Sequence, residues 1–171
     1  MILASDYGRE YFWIPVVAIM LAFGTRKTKI LAIELATLFV VGIILGEALK
    51  YVIERPRPFQ EISGITTRVP MSTDSSYPSG HALIVSIGAI FALLKFERKV
   101  ISVLLGIEAA LVCFSRVYVG MHYPLDVLSA IFLGGFIVSI GVFLIERYFR
   151  SPIHNLTSLI ERILRINLFR V

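Results

Sequence analysis

Three separated stretches of this 171-residue chain hold side chains that can do chemistry. KYVIERPRP carries Lys50 and, seven residues on, Arg57 followed by Pro58. YPSGHALI sets Pro78, Ser79, Gly80 and His81 at the start of an apolar run. SRVYVGMHYPLD holds Ser115, Arg116, His122 and Asp126. If the chain brings Lys50, Arg57 and Arg116 together in a poorly hydrated place, the cations repel one another and an anion relieves the repulsion. Phosphate suits them, because Arg offers its oxygens a planar fork and Lys a point charge. Taken singly, each cation also reads as an anchor snorkelling to lipid headgroups, and for Arg55 that is the reading preferred.

The other two stretches add a binding edge and a reactive group. Ser79 can cap a helix, and Gly80 lets a ligand approach the backbone closely. The free N–H groups of that first turn, with the helix dipole, form an anion site. In isolation the tetrapeptide reads more simply as a cap and an interfacial histidine. Pro124 suits a first helical turn and disfavours helix at Tyr123, so His122 sits just ahead of a helix and Asp126 in its first turn. Asp126 can merely complement the dipole there, or it can accept the Nδ1–H of His122 and leave the other nitrogen free to attack. Ser115 is a rival nucleophile, but its spacing does not mark His122 as its base.

In this order, K-x6-R-P, then P-S-G-H, then S-R-x5-H-x3-D, the chain resembles the type 2 phosphatidic acid phosphatase superfamily over about residues 50–126. The resemblance implies that His122 attacks phosphorus and becomes a phosphohistidine, that Asp126 orients it, and that His81 protonates the leaving group. It assigns Lys50, Arg57, Ser79, Gly80 and Arg116 to the phosphoryl oxygens, and implies no metal or other cofactor. His81 and His122 must then hold opposite protonation states at one pH, which predicts a bell-shaped pH–rate profile.

The elements that must position these residues are apolar. Hydrophobic residues make up 57% of the chain and charged ones 17%, against ~25% in soluble domains. Five apolar segments stand out, at about 11–24, 30–49, 81–95, 100–116 and 125–146. Their patterns do not alternate as barrel strands do. The fold expected is all-α: an integral-membrane helical bundle of five or six transmembrane helices plus a C-terminal amphipathic helix. Membrane members of the resembled family commonly have six spans, and five are counted here. Residues 1–150 form the phosphatase domain with a long loop at about 50–79, within which residues 59–77 shape headgroup selection. Residues 151–171, with Ile153, Leu156, Leu159, Ile160, Ile163 and Leu164 at helical spacing, form an interfacial tail.

Charge sets the expected orientation. Counting connectors alternately, eleven of the 17 basic residues share one side: Arg26, Lys27, Lys29, Lys95, Arg98, Lys99, Arg147, Arg150, Arg162, Arg165 and Arg170. Arg9, Lys50, Arg55, Arg57, Arg68 and Arg116 share the other. The richer side is cytoplasmic by the positive-inside rule, so the chemistry faces outward. No cleavable signal peptide opens the chain. Short basic clusters between apolar runs mark topology and argue against nucleic acid as a partner despite the net charge of +5. Cys113 reads as a small buried hydrophobe, and His154 as an ordinary surface residue.

The expected substrate is a lipid phosphate in the bilayer, with a polyprenyl pyrophosphate preferred. Phosphatidic acid, phosphatidylglycerophosphate and diacylglycerol pyrophosphate are its rivals. Two other classes compete. His81, His122 and Asp126 can be drawn as a two-His-one-carboxylate metal set, which the nearby cations oppose. Glu34, Glu47 and Glu108 can be drawn as a proton path in a carrier. More simply, Glu47 pairs with Lys50, Glu34 lies near the cytoplasmic end and Glu108 packs against other helices.

Overall fold

The computed structural model describes residues 10–65, 67 and 72–168, and among them the regular structure is entirely helical. Arg9, Arg68 and Arg170 of the charge count, the opening residues and part of the long loop lie outside the described residues. α1 spans Glu10–Phe23, α2 Arg26–Ile53, α3 Pro58–Glu61, α4 Gly80–Lys95, α5 Lys99–Tyr118 and α6 Pro124–Leu144. A π-helical turn at Ile145–Phe149 leads into α7, Arg150–Leu168.

Local chemistry sets these ends. Thr25 caps α2 by accepting the Thr28 N–H. Glu54 ends it in the left-handed conformation, φ 45°, its N–H on the Lys50 carbonyl at 3.1 Å. That turn sends Arg55 and Arg57 back towards the bundle. Ser79 caps α4, and Pro124 opens α6 at a position needing no N–H donor.

α4 is the hub. Nine of its residues are buried, from Ala82 to Ala92, and it packs against α2, α5 and α6. Small residues let the helices close, as helix packing in lipid requires. A Cβ on Gly134 of α6 would lie 3.1 Å from the Ser86 Cβ, and one on Gly88 would lie 2.2 Å from the Trp13 ring. Outside this core, Phe23, Val52, Ile107, Leu128, Phe132 and Phe136 expose large apolar side chains. Three helical stretches, Arg26–Glu61, Lys99–Tyr118 and Pro124–Leu164, are long and apolar enough to cross a membrane; α1 and α4 are apolar but shorter. This is the construction of a multi-pass membrane protein.

Its connectors separate to two ends. At one, Lys27 pairs with Glu97, Lys95 with Glu146, and Arg26 lies 3.9 Å from Glu161. The 24–29 and 96–98 connectors and the tail therefore meet. α7 continues from α6 and lies against the start of α2, burying Ile153 and Thr157, with Arg26 donating to the Ser158 hydroxyl at 3.1 Å. The three chemistry-bearing stretches share the opposite end.

Candidate active site

The end of α2, the 54–57 and 72–79 segments and the α5–α6 turn are knitted by backbone bonds. Ser76 N–H donates to the Arg55 carbonyl at 2.8 Å, and Ser79 N–H to the Asp126 carbonyl at 3.1 Å. The N–H groups of Met121 and His122 both reach the Arg116 carbonyl, at 3.2 and 3.3 Å, folding a turn that uses Gly120 at φ 76°. His122 is thereby buried immediately ahead of α6.

The orientation of His122 differs from expectation. Its Nδ1 lies 2.8 Å from the Ser76 carbonyl and 3.9 Å from the Asp126 carboxylate, beyond hydrogen-bond reach. A carbonyl can only accept, so Nδ1 carries the proton and Nε2 carries the lone pair. Nε2 in turn lies 3.3 Å from a guanidinium nitrogen of Arg57. Burial and the Arg57 and Arg116 charges push the imidazole down to about 3, against the pull of the Ser76 carbonyl. His122 is therefore neutral near neutral pH, with its free nitrogen towards the cations.

Asp126 is fully buried. One oxygen accepts from Arg55 at 2.8 Å; the other accepts from the Ser76 hydroxyl and from the Tyr123 N–H at 2.9 Å. Arg55 is thus not a headgroup anchor. Its guanidinium also lies 4.2 Å from the centre of the Tyr123 ring. A wholly buried carboxylate needs a cation partner, and Arg55 supplies it.

Arg57 is buried and holds three groups besides His122: the Asp74 carbonyl at 3.0 Å, the Met121 carbonyl at 3.0 Å and the Asp74 carboxylate at 2.7 Å. Lys50 reaches the other oxygen of Asp74 at 2.7 Å and Glu47 at 3.0 Å. Asp74 thus bridges two of the expected phosphate-binding cations. Burial would raise its carboxyl, but hydrogen bonds from Lys50, Ser72 and Arg57 outweigh that and hold it well below the ordinary carboxylate range. A cleft of about 630 Å³, lined by Glu47, Lys50, Tyr51, Arg55 and Asp74 among others, opens beside this bridge.

Among the remaining expected residues, Arg116 is buried on the last turn of α5, and its charge is felt at His122. Ser79 is buried at the α4 cap, with Gly80 and the half-buried His81 in the first turn. The Ser115 hydroxyl donates to the Val112 carbonyl at 2.7 Å, which ties it into its own helix. Among the described residues, no three His, Cys, Asp or Glu side chains gather as a metal would need. Sequence reasoning missed Arg55, Asp74 and Ser76. The one signal for Arg55 was the counterion that Asp126 must have once it is buried.

Comparison with known proteins gives the family. A sequence profile described as the PAP2 superfamily matches residues 30–150. An undecaprenyl-diphosphatase of Sulfolobus acidocaldarius is 49% identical over 142 residues, covering 83% of this chain and 68% of the relative. The bacitracin transport permease protein BcrC of Bacillus licheniformis is 31% identical over 93% of this chain and 84% of its own. A crystal structure from Bacillus subtilis, titled as a transmembrane PAP2 type phosphatidylglycerolphosphate phosphatase, superposes with a TM-score of 0.68 at 25% identity, covering 85% of this chain and 74% of that one. With the profile running from the start of α2 to the end of the π-helical turn and taking in every stretch of the candidate site, the chain belongs to the PAP2 superfamily.

Proposed function

We propose that the protein is a metal-independent lipid phosphatase that removes the terminal phosphate of a polyprenyl pyrophosphate at the outer face of the membrane, through a phosphohistidine on His122. The observation that carries this reading is the Ser76 carbonyl at 2.8 Å from Nδ1, which leaves Nε2 unprotonated and facing Arg57. In the first step the Nε2 lone pair forms a bond to phosphorus. The bond to the leaving oxygen breaks, and His81 supplies that oxygen's proton. In the second step water attacks phosphorus and gives a proton back to His81. The P–N bond then breaks, returning the lone pair to Nε2 and freeing inorganic phosphate. Lys50, Arg57, Arg116, the Ser79 hydroxyl and the Gly80 N–H hold the three equatorial oxygens, where charge stabilisation matters most.

The outer-face reading rests on the positive-inside rule, since the basic connectors gather at the opposite end. The polyprenyl pyrophosphate substrate is favoured by the relative sharing 49% identity. The B. subtilis structure keeps phosphatidylglycerophosphate as the second reading.

The test is phosphate release by the purified chain in detergent containing EDTA, from polyprenyl pyrophosphate, phosphatidylglycerophosphate and phosphatidic acid. Release by wild type should survive chelation, be fastest with the pyrophosphate, and fall by at least about a thousandfold in His122→Ala, as expected for loss of a nucleophile. Equal release by His122→Ala would refute the phosphohistidine. Lipid binding without release would leave a binder or carrier.

A further inference from the structure

The Asp74 carboxylate stands where an anionic ligand would be expected. It is held by Lys50 at 2.7 Å and Arg57 at 2.7 Å, the same two cations read above as phosphate ligands. The Arg57 guanidinium that it grips also lies 3.3 Å from the His122 Nε2. Asp74 lines the open cleft, while Arg57 behind it is buried. A phosphoryl group entering from that cleft therefore meets the carboxylate before it meets Arg57. Like charges this close in a half-buried site repel strongly, so phosphoryl oxygens and Asp74 cannot share the two cations without loss. Without a counter-anion, however, Lys50 and Arg57 would repel each other, and the buried Arg57 would be left uncompensated.

We propose that Asp74 is a resident stand-in for phosphate: it holds Lys50 and Arg57 in place while the site is empty, yields them to the substrate's phosphoryl group, and by reclaiming them lowers the affinity for inorganic phosphate after turnover. This rests on the reading of the site as phosphoryl-binding. The exchange is a swap of anions on fixed cations and breaks no covalent bond. It favours ligands that present more than one negative charge to the pair, since a monoanion gains nothing over the carboxylate it displaces. It also makes Asp74 a residue that sets the balance between substrate capture and product release, acting through Lys50 and Arg57.

Two kinds of substitution separate this role from simple bracing of the loop. Asp74→Asn keeps the shape and removes the competing charge. Ser72→Ala removes only the hydroxyl that donates to Asp74 and leaves both cations untouched. Inorganic phosphate is titrated into the full-length protein in detergent, by calorimetry and by the ligand-induced shift in Tm. Asp74→Asn should bind phosphate about tenfold or more tightly than wild type, Ser72→Ala less so but in the same direction, and Asp74→Glu close to wild type. In turnover, Asp74→Asn should lower KM more than it changes kcat, with stronger product inhibition. Phosphate affinity that is unchanged or weaker in Asp74→Asn, with wild type binding normally, would overturn the role of Asp74 and leave the phosphatase reading standing. Failure of wild type and every variant to bind phosphate would overturn the phosphoryl site and this proposal with it. Should Asp74→Asn not fold, Ser72→Ala decides by the same measurement.

Discussion

A backbone carbonyl decides which nitrogen of His122 carries the proton. The Ser76 carbonyl accepts the Nδ1–H at 2.8 Å, so the lone pair sits on Nε2, and burial with Arg57 and Arg116 nearby keeps the ring neutral. The chain has three histidines, so selective imidazole labelling yields three signals, assignable with His81→Gln and His154→Gln. The His122 signal should report the Nδ1–H tautomer and stay neutral as pH falls from 8 to about 4, protonating only near the depressed value of about 3. A His122 titration at the ordinary imidazole value near 6.5 would contradict the buried geometry. The acid side of a bell-shaped rate profile then belongs to another group or to the substrate. The spacing H-x3-D singled out His122 and Asp126, two residues that are both buried at this end of the bundle. It could not reveal that the Asp126 carboxylate lies 3.9 Å from His122 and is bound by Ser76 and Arg55 instead, because a carbonyl acceptor leaves no mark on residue identity. Arg55 was hidden by a second effect: an Arg beside an apolar run reads equally well as an anchor until the burial of Asp126 is known.

At the scale of elements, apolar runs located five of the long helices, with the largest difference at the ends of α2. The run at 30–49 became Arg26–Ile53, since hydropathy marks the lipid-facing stretch while caps and polar last turns extend the hydrogen-bonded helix. The tail was expected as an amphipathic helix over residues 151–171. In the structure the helix runs on from α6 through the π-helical turn at Ile145–Phe149 into α7, with Pro152 near the start of α7. Helix pairing was illegible, since periodicity shows which face is apolar but not which neighbour covers it. Gly88 is the example. It faces Trp13, whose ring fills the place of a side chain and stacks edge-on with Phe39 at 5.4 Å. Gly88→Ala would put a methyl 2.2 Å from that ring, and overpacking of this kind costs ~1–3 kcal/mol. A lowered Tm is the expected outcome, partly restored by adding Trp13→Phe. An unchanged Tm would mean that α1 can slide off α4 freely.

At the scale of the whole molecule, the division of connectors into two groups was readable because a helical bundle in lipid must alternate ends. The structure joins the members of one group by Lys27–Glu97 and Arg26–Glu161 contacts, and the other group by the Lys50–Asp74–Arg57–His122 chain. Which end faces the cytoplasm depends on basic residues that are free to act as topology signals. Among the described residues at the candidate-site end, Lys50 is committed to Glu47 and Asp74, Arg55 to Asp126 and Arg57 to Asp74, and Arg116 lies beside His122. On the other end Lys99 and Arg98 stand at the start of α5 with no catalytic partner to occupy them, so the bias towards that end being inside is larger than the bare count suggests. Single cysteines test this in intact cells. In a Cys113→Ala background, Thr73→Cys and Glu97→Cys lie at exposed positions on opposite ends. A membrane-impermeant maleimide should label Thr73→Cys directly and Glu97→Cys only after the membrane is opened. The reverse pattern would turn the catalytic end inward, and the substrate would then have to be a lipid phosphate displayed on the cytoplasmic leaflet.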